Sequence, residues 1–290
     1  MNLLQNLRLI AAQELQKYGI GVDQSDVDRD IIERWVGLLF KLIQPTPRKV
    51  HVAGHLNEKL ASLGLVDSFE KLKGDIEFGR DINGHLSKKA FDPDDMDFLL
   101  CDWGIHHLHV GTSMNSDADY FVDRSDWLLF VRFESGRCYC IDVRAHSENY
   151  VFAKKKLLEV LDLDWPEWTD GYKFLDGVTL AHDETVDEDL NLIRLRKGCL
   201  NTPSLVGGRL MMGMGGGISR KRTSVAVTRR TDYLYDLIDD TERWVTEEYE
   251  SFMKNERGAR VDMAATKFSL VRSHDEFYLY EKSANVAFKL

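Results

Sequence analysis

Apolar residues recur at three- and four-residue spacing in two stretches near the N-terminus. Leu3, Leu4, Leu7, Ile10, Ala11 and Leu15 form one stripe, and Ile31, Ile32, Trp35, Leu38, Leu39 and Leu42 form another within 26–43. That spacing puts each set on one face of a helix, and such a face must be buried somewhere. Pro45 and Pro47 end the second stretch; a third helix is predicted over 53–63 with Gly64 as its C-cap, and Ser68 starts a short helical turn through Leu72. Residues 74–92, with Gly74, Gly79 and Gly84, read as a long loop before a helical turn at 94–101. The period then changes to two. Strands are expected at 105–110, 127–133 and 138–145, the last two joined as a hairpin through Gly136. An amphipathic helix is expected over 153–163, and the acidic stretch 169–189 reads as a surface insertion. Short strands at 209–212 and 224–228, a helix over 232–255 and strands at 267–272 and 276–280 complete the pattern. The expected fold is α+β: a helical N-terminal module, 1–73, then a domain over 74–290 with a mixed, mainly antiparallel sheet and flanking helices.

Hydrophobic residues at 43% of a 290-residue chain can fill a sizeable core, so disorder and collagen-like repeats are excluded. Lys41 breaks the most apolar run, 35–43, well short of a membrane span, and the first eighteen residues carry Arg8, Glu14 and Lys17 where a signal peptide would be uninterrupted. Cys101, Cys138, Cys140 and Cys199 contain no CxxC pair, so reduced thiols in a cytoplasmic protein with no membrane association are expected. The net charge of −10 opposes diffuse binding to nucleic acid. One segment departs from it: 193–230 holds no acidic residue but contains Arg194, Arg196, Lys197, Arg209, Arg220, Lys221, Arg222, Arg229 and Arg230. It could line a basic groove, or pair with the acidic stretches on either side.

Candidate chemistry gathers between residues 103 and 146, where four of the nine histidines fall: His106, His107, His109 and His146. On a strand His107 and His109 share a face, while His106 goes with Leu108 and Val110. Strict alternation over 138–146 puts Tyr139, Ile141, Val143 and Ala145 on an apolar face and Cys140, Asp142, Arg144 and His146 on the other. Two chemistries use such a set. RNA cleavage by the ribose 2′-OH needs a base, an acid and a cation for the phosphorane; His107 or His109, His146, and Arg124 or Arg144 would supply them. Alternatively His107 and His109, with His146 and Asp142, could ligate Zn²⁺, Mn²⁺ or Fe²⁺, and Cys138 and Cys140 could join them. A third reading makes His106 a core residue and the others solvated.

The strands carrying Arg124, Trp127 to Val131, Cys140 to Val143 and His146, followed by a Lys-rich helix, resemble the small sheet of RelE-like messenger-RNA interferases and other metal-independent bacterial toxin ribonucleases. The resemblance covers residues 103–163 and implies a ribonuclease-like sheet with basic residues on its exposed face. This chain is longer and more acidic than those toxins, and its three clustered histidines are its own.

Between Met211 and Arg222 lies a glycine-rich stretch, with Gly213, Gly215, Gly216 and Gly217 followed by Arg220, Lys221 and Arg222. It is neither a P-loop nor a dinucleotide fingerprint. Its backbone N–H groups could approach a phosphate, with Arg209 and the three cations beside them, or it could be a plain surface hairpin. The leading expectation is a metal-independent endoribonuclease of toxin or host-defence type, without a cofactor, whose partners are RNA and a neutralising protein. The catalytic residues would be His107, His109, Arg124, Arg144 and His146, and the substrate-binding residues Arg209, Gly215, Gly216, Gly217, Arg220, Lys221 and Arg222. The alternatives are a non-enzymatic nucleic-acid- or partner-binding protein using 193–230, and a metal-dependent enzyme at the HxH cluster.

Overall fold

A computed structural model describes residues 2–23, 25–111, 120–123, 125–176, 188–273 and 275–290. The chain is α+β and divides into two compact units, Met1–Leu38 with Val227–Leu290, and Leu39–Ala226. The expected boundary near residue 73 therefore does not coincide with the observed division. The helix at Leu3–Lys17 packs on a C-terminal strand, whereas the helices at Leu56–Leu63 and Val66–Glu77 pack on the central sheet, so the division falls before them. Among the described residues no helix is long and apolar enough to cross a membrane.

Helix α1 (Leu3–Lys17) opens on Asn2, whose side chain accepts the Gln5 N–H at 2.8 Å, and it buries Leu3, Leu7, Ala11 and Leu15. Its four buried positions are a subset of the expected stripe. Then come α2 (Asp28–Lys41), β1 (Lys49–Val52), α3 (Leu56–Leu63) and α4 (Val66–Glu77). Gly64 ends α3 at φ 68°, the left-handed cap its position predicts. Two 3₁₀ turns, Asn83–His85 and Lys88–Phe91, lead to α5 (Phe98–Trp103), β2 (His106–His109), β3 (Trp127–Glu134) and β4 (Arg137–Ala145). The chain continues through α6 (Lys156–Asp164), α7 (Pro166–Thr169), β5 (Lys173–Asp176), α8 (Glu188–Lys197), β6 (Ser204–Val206) and β7 (Arg209–Met211). It ends with α9 (Val225–Glu247), α10 (Tyr249–Arg257), β8 (Phe268–Ser273), β9 (Glu276–Glu281) and β10 (Val286–Lys289).

The strand expected at 224–228 is instead the start of α9; an isolated antiparallel bridge, Ile218 with Ser224, precedes it. Val225 and Val227 favour a strand locally, but Val227, Thr231, Leu234, Ile238, Thr241 and Val245 are buried at helical spacing, and that longer apolar face prevails. The single helix expected over 232–255 breaks at Glu248 into α9 and α10.

The central sheet has the order β1-β4-β3-β2, with β1 parallel to β4 and the remaining pairs antiparallel. Two three-stranded antiparallel sheets, β10-β9-β8 and β5-β7-β6, belong one to each unit. A bulge divides the hairpin: Phe130 pairs with Asp142 but Val131 pairs with Cys140, so Ile141 has no partner. The extra residue reverses the alternation expected along β4. After it, Asp142 and Arg144 lie in rows with His107 and His109. Before it, Cys138 and Cys140 lie on the opposite face with Val131 and His106, whereas Tyr139 joins the face of Asp142 and packs on Trp168 with ring centroids 5.5 Å apart.

Candidate functional site

A cavity of about 780 Å³ borders β2, the edge strand of the central sheet, and His107, His109 and His146 all line it. Each is held differently. Asp97 caps α5 by accepting the Leu100 N–H at 3.0 Å through Oδ1, and its other oxygen lies 3.5 Å from His107 Nδ1. That is ion-pair range for a protonated ring, and the cap fixes the carboxylate in place. His109 is buried, with Nδ1 3.4 Å from the Ser125 carbonyl, while its own carbonyl accepts from His85 Nδ1 at 2.8 Å. His146 lies just past β4, where its N–H donates to the Asp126 carbonyl at 2.7 Å. It is exposed, and its ring stacks on His109 at 6.1 Å with an interplanar angle of 13°. Asp126, Lys41, Lys89 and Phe152 complete the part of the wall that bears on chemistry.

The structure brings the three predicted histidines to one cavity but leaves Arg144 out of its lining. Arg144 is claimed by carboxylates: Nε lies 2.9 Å from Asp142 Oδ2 and NH1 donates to Glu148 Oε1 at 2.8 Å. Asp142 is itself 2% exposed and also meets Lys59 Nζ at 2.7 Å and His55 Nε2 at 3.2 Å. Arg124 lies outside the described residues. The metal reading loses its extra ligands, because the bulge turns Cys138 and Cys140 away and Asp142 is held by three basic side chains. Among the described residues no three His, Cys, Asp or Glu side chains gather closely enough to hold a metal ion.

The glycine-rich segment has a packing role. The Gly215 N–H donates to the Asp102 carbonyl at 2.8 Å, Gly217 to Cys101 at 2.9 Å, and Gly216 to Gly213 at 3.2 Å. The orphan carbonyls at the end of α5 are satisfied this way, so Gly215, Gly216 and Gly217 do not offer these donors to a phosphate as expected. A Cβ on Gly215 would sit 2.3 Å from the Leu100 oxygen and 2.5 Å from the Cys101 oxygen, both backbone. Gly215→Ala should therefore lower stability by about 1–3 kcal/mol, read as a lower urea midpoint. Arg220, Lys221 and Arg222 are exposed in the turn that the Ile218–Ser224 bridge closes, and Arg209 NH1 reaches Asp170 at 3.2 Å. None of these four lines the cavity.

Another basic residue of this segment, Arg196, goes inward. It is 2% exposed, donates from Nε to Asp102 Oδ2 at 2.9 Å and from NH1 to the Phe152 carbonyl at 2.7 Å, and lies 4.2 Å over the Trp103 ring. Burial pushes the Asp102 carboxyl up, with Arg196 opposing, and burial likewise pulls the Arg196 guanidinium down.

Asp97, Asp126, Lys41, Lys89 and Phe152 were missed by sequence reasoning. Lys41 alone left a signal, as the charge that interrupts an apolar run. It is buried, and its ammonium donates to the carbonyls of Asp92 and Asp95, the latter at 2.9 Å. Burial pulls its pKa down, against the nearby carboxylates. No protein-family model matches the chain, and neither a curated protein nor a solved structure is significantly similar to it.

Proposed function

We propose that the cavity is the active site of a metal-independent endoribonuclease, with His107 as base and His146 as acid. The observation that supports this reading most is the convergence of four imidazoles, His106 among them, on one cavity, with that of His107 backed by the capped carboxylate of Asp97. His107 takes the proton of the ribose 2′-OH as that oxygen attacks phosphorus. The 5′-oxygen leaves with the proton of His146, giving a 2′,3′-cyclic phosphate and a free 5′-OH. His109, buried and held at the Ser125 carbonyl, orients the His146 ring that stacks on it. Lys89, which is exposed and lies 3.6 Å from the Asp95 carboxylate, and Lys41, held by two backbone carbonyls, supply positive charge in the cavity wall in place of the expected Arg144. All four cysteines are free thiols, which suits a cytoplasmic setting. The toxin or host-defence role and a neutralising partner rest on the resemblance of residues 103–163.

The test is cleavage of a mixed single-stranded RNA pool by purified protein with and without EDTA. EDTA-resistant cleavage with cyclic phosphate ends is expected, and His107→Ala and His146→Ala, each shown to be folded by circular dichroism, should each lower kcat about a hundredfold. Unchanged cleavage in both variants would overturn the assignment. A second reading, a non-enzymatic RNA or partner binder, is favoured by the exposed turn of Arg220, Lys221 and Arg222, which stands apart from the cavity lining. No cleavage by the wild type, with RNA binding lost on replacing these three, would bring that reading forward.

A further inference from the structure

Phe152 is the side chain of this region whose position its own burial does not explain. It is 36% exposed, while its neighbours Val151 and Ala153 are 3% and 0% exposed. Three features hold it there. The Ala153 N–H donates to the Tyr150 carbonyl at 2.8 Å, Tyr150 takes the left-handed conformation at φ 57°, and the Phe152 carbonyl accepts from the buried Arg196 at 2.7 Å. With Val151 and Ala153 packed inward, the ring is presented at the cavity wall. Its centroid lies 4.8 Å from that of His107 and 6.1 Å from that of His146, so it touches both groups assigned to proton transfer.

We infer that Phe152 is a stacking platform for the base of an unpaired nucleotide, which makes single-stranded RNA the substrate class; the inference rests on the ribonuclease reading. Every nucleobase offers a π-face, so one phenyl ring binds any of them with little sequence preference. A base stacked on this ring brings its own ribose and phosphate to the two histidines. Bases inside a duplex already stack on each other and cannot reach it.

Binding and cleavage test the inference separately. Calorimetric titration with adenosine 3′-monophosphate is expected to show binding to the wild type, weakened about tenfold by Phe152→Ala and by Phe152→Leu but not by Phe152→Trp. Ribose 5-phosphate, which has no base, should not distinguish these proteins. In cleavage, Phe152→Leu should raise KM for single-stranded RNA more than it lowers kcat. Leucine keeps the apolar bulk but removes the π-face, so a Phe152→Leu protein that binds the nucleotide and cleaves RNA like the wild type overturns the platform while leaving the ribonuclease standing. Wild-type protein that cleaves no RNA, yet binds the nucleotide with the same dependence on Phe152, overturns the ribonuclease and keeps the platform. An absence of both nucleotide binding and cleavage overturns both.

Discussion

Replacing Arg196 by methionine should lower the stability of the Leu39–Ala226 unit by about 3–5 kcal/mol at pH 7. Methionine fills much of the space but leaves the Asp102 carboxylate, 4% exposed, without its cation. The pair also joins separate parts of the fold: Asp102 is in α5, its carbonyl receives the Gly215 N–H, and Arg196 in α8 holds the Phe152 carbonyl. The deficit should shrink on acidification. Burial already raises the Asp102 carboxyl above its ordinary range, and losing Arg196 removes the main opposing influence. A group whose folded pKa is raised binds its proton more tightly in the native state, so the variant is destabilised as pH rises above about 4, the unfolded carboxyl value, and recovers as pH falls back toward it. Adding Asp102→Asn should restore much of the loss, because no uncompensated charge is then buried. Urea unfolding of the single and double variants at pH 7 and pH 5 checks this; a single-variant cost under about 1 kcal/mol would show that the pair does not hold the junction together.

The second large effect concerns His106 and acid. Its ring packs edge-on against Phe133 at 5.4 Å on the face opposite His107, and both ring nitrogens are shielded from solvent. Neither makes a hydrogen bond of good geometry, although the Lys41 backbone is near enough to favour the protonated ring slightly. Burial pushes the pKa down to about 4, against the attraction of Asp97, with His107 and Arg132 lowering it further. A histidine with a depressed folded pKa is protonated first in the unfolded chain. Its effect on stability is therefore absent above about pH 6.5 and grows as pH falls from there to about 4, to a loss of about 3 kcal/mol. His106→Phe should remove that part of the acid sensitivity and be at least as stable as the wild type at pH 7, because two unpaired polar atoms disappear. The measurement is the urea midpoint at pH 7 and pH 4.5. An identical drop in both proteins would refute the assignment.

Elements with long periodic faces were legible in the sequence: α1, α2, α3 and the hairpin of β3 and β4 all stand where spacing put them. Strands β1, β6 and β10 are three or four residues long and carry too few alternations to stand out alone, whereas β2 and β7, equally short, were read within the longer expected runs 105–110 and 209–212. Helix α8 was hidden by its composition, since polar residues surround it and its one buried residue is the charged Arg196. Of the four histidines that line the cavity, His107 and His109 were visible because alternation over β2 is local. Asp97, Lys89 and Phe152 reach the same cavity from other elements through tertiary packing, which one-dimensional patterns do not encode. The glycines misled for a related reason. They were read either as an approach to a phosphate or as a plain hairpin, whereas two of their N–H groups meet the end of α5.

The unpaired Ile141 makes β4 two half-strands in opposite phase, as though one letter had been inserted into a two-letter rhyme. A single strand can thereby turn Cys138 and Cys140 to one side and Asp142 and Arg144 to the other, although all four occupy even-numbered positions. Deleting that one residue would rhyme the strand throughout and force one half of the set onto the wrong side. The presence of residue 141, as well as its fully buried side chain, thus keeps the two faces of the sheet apart.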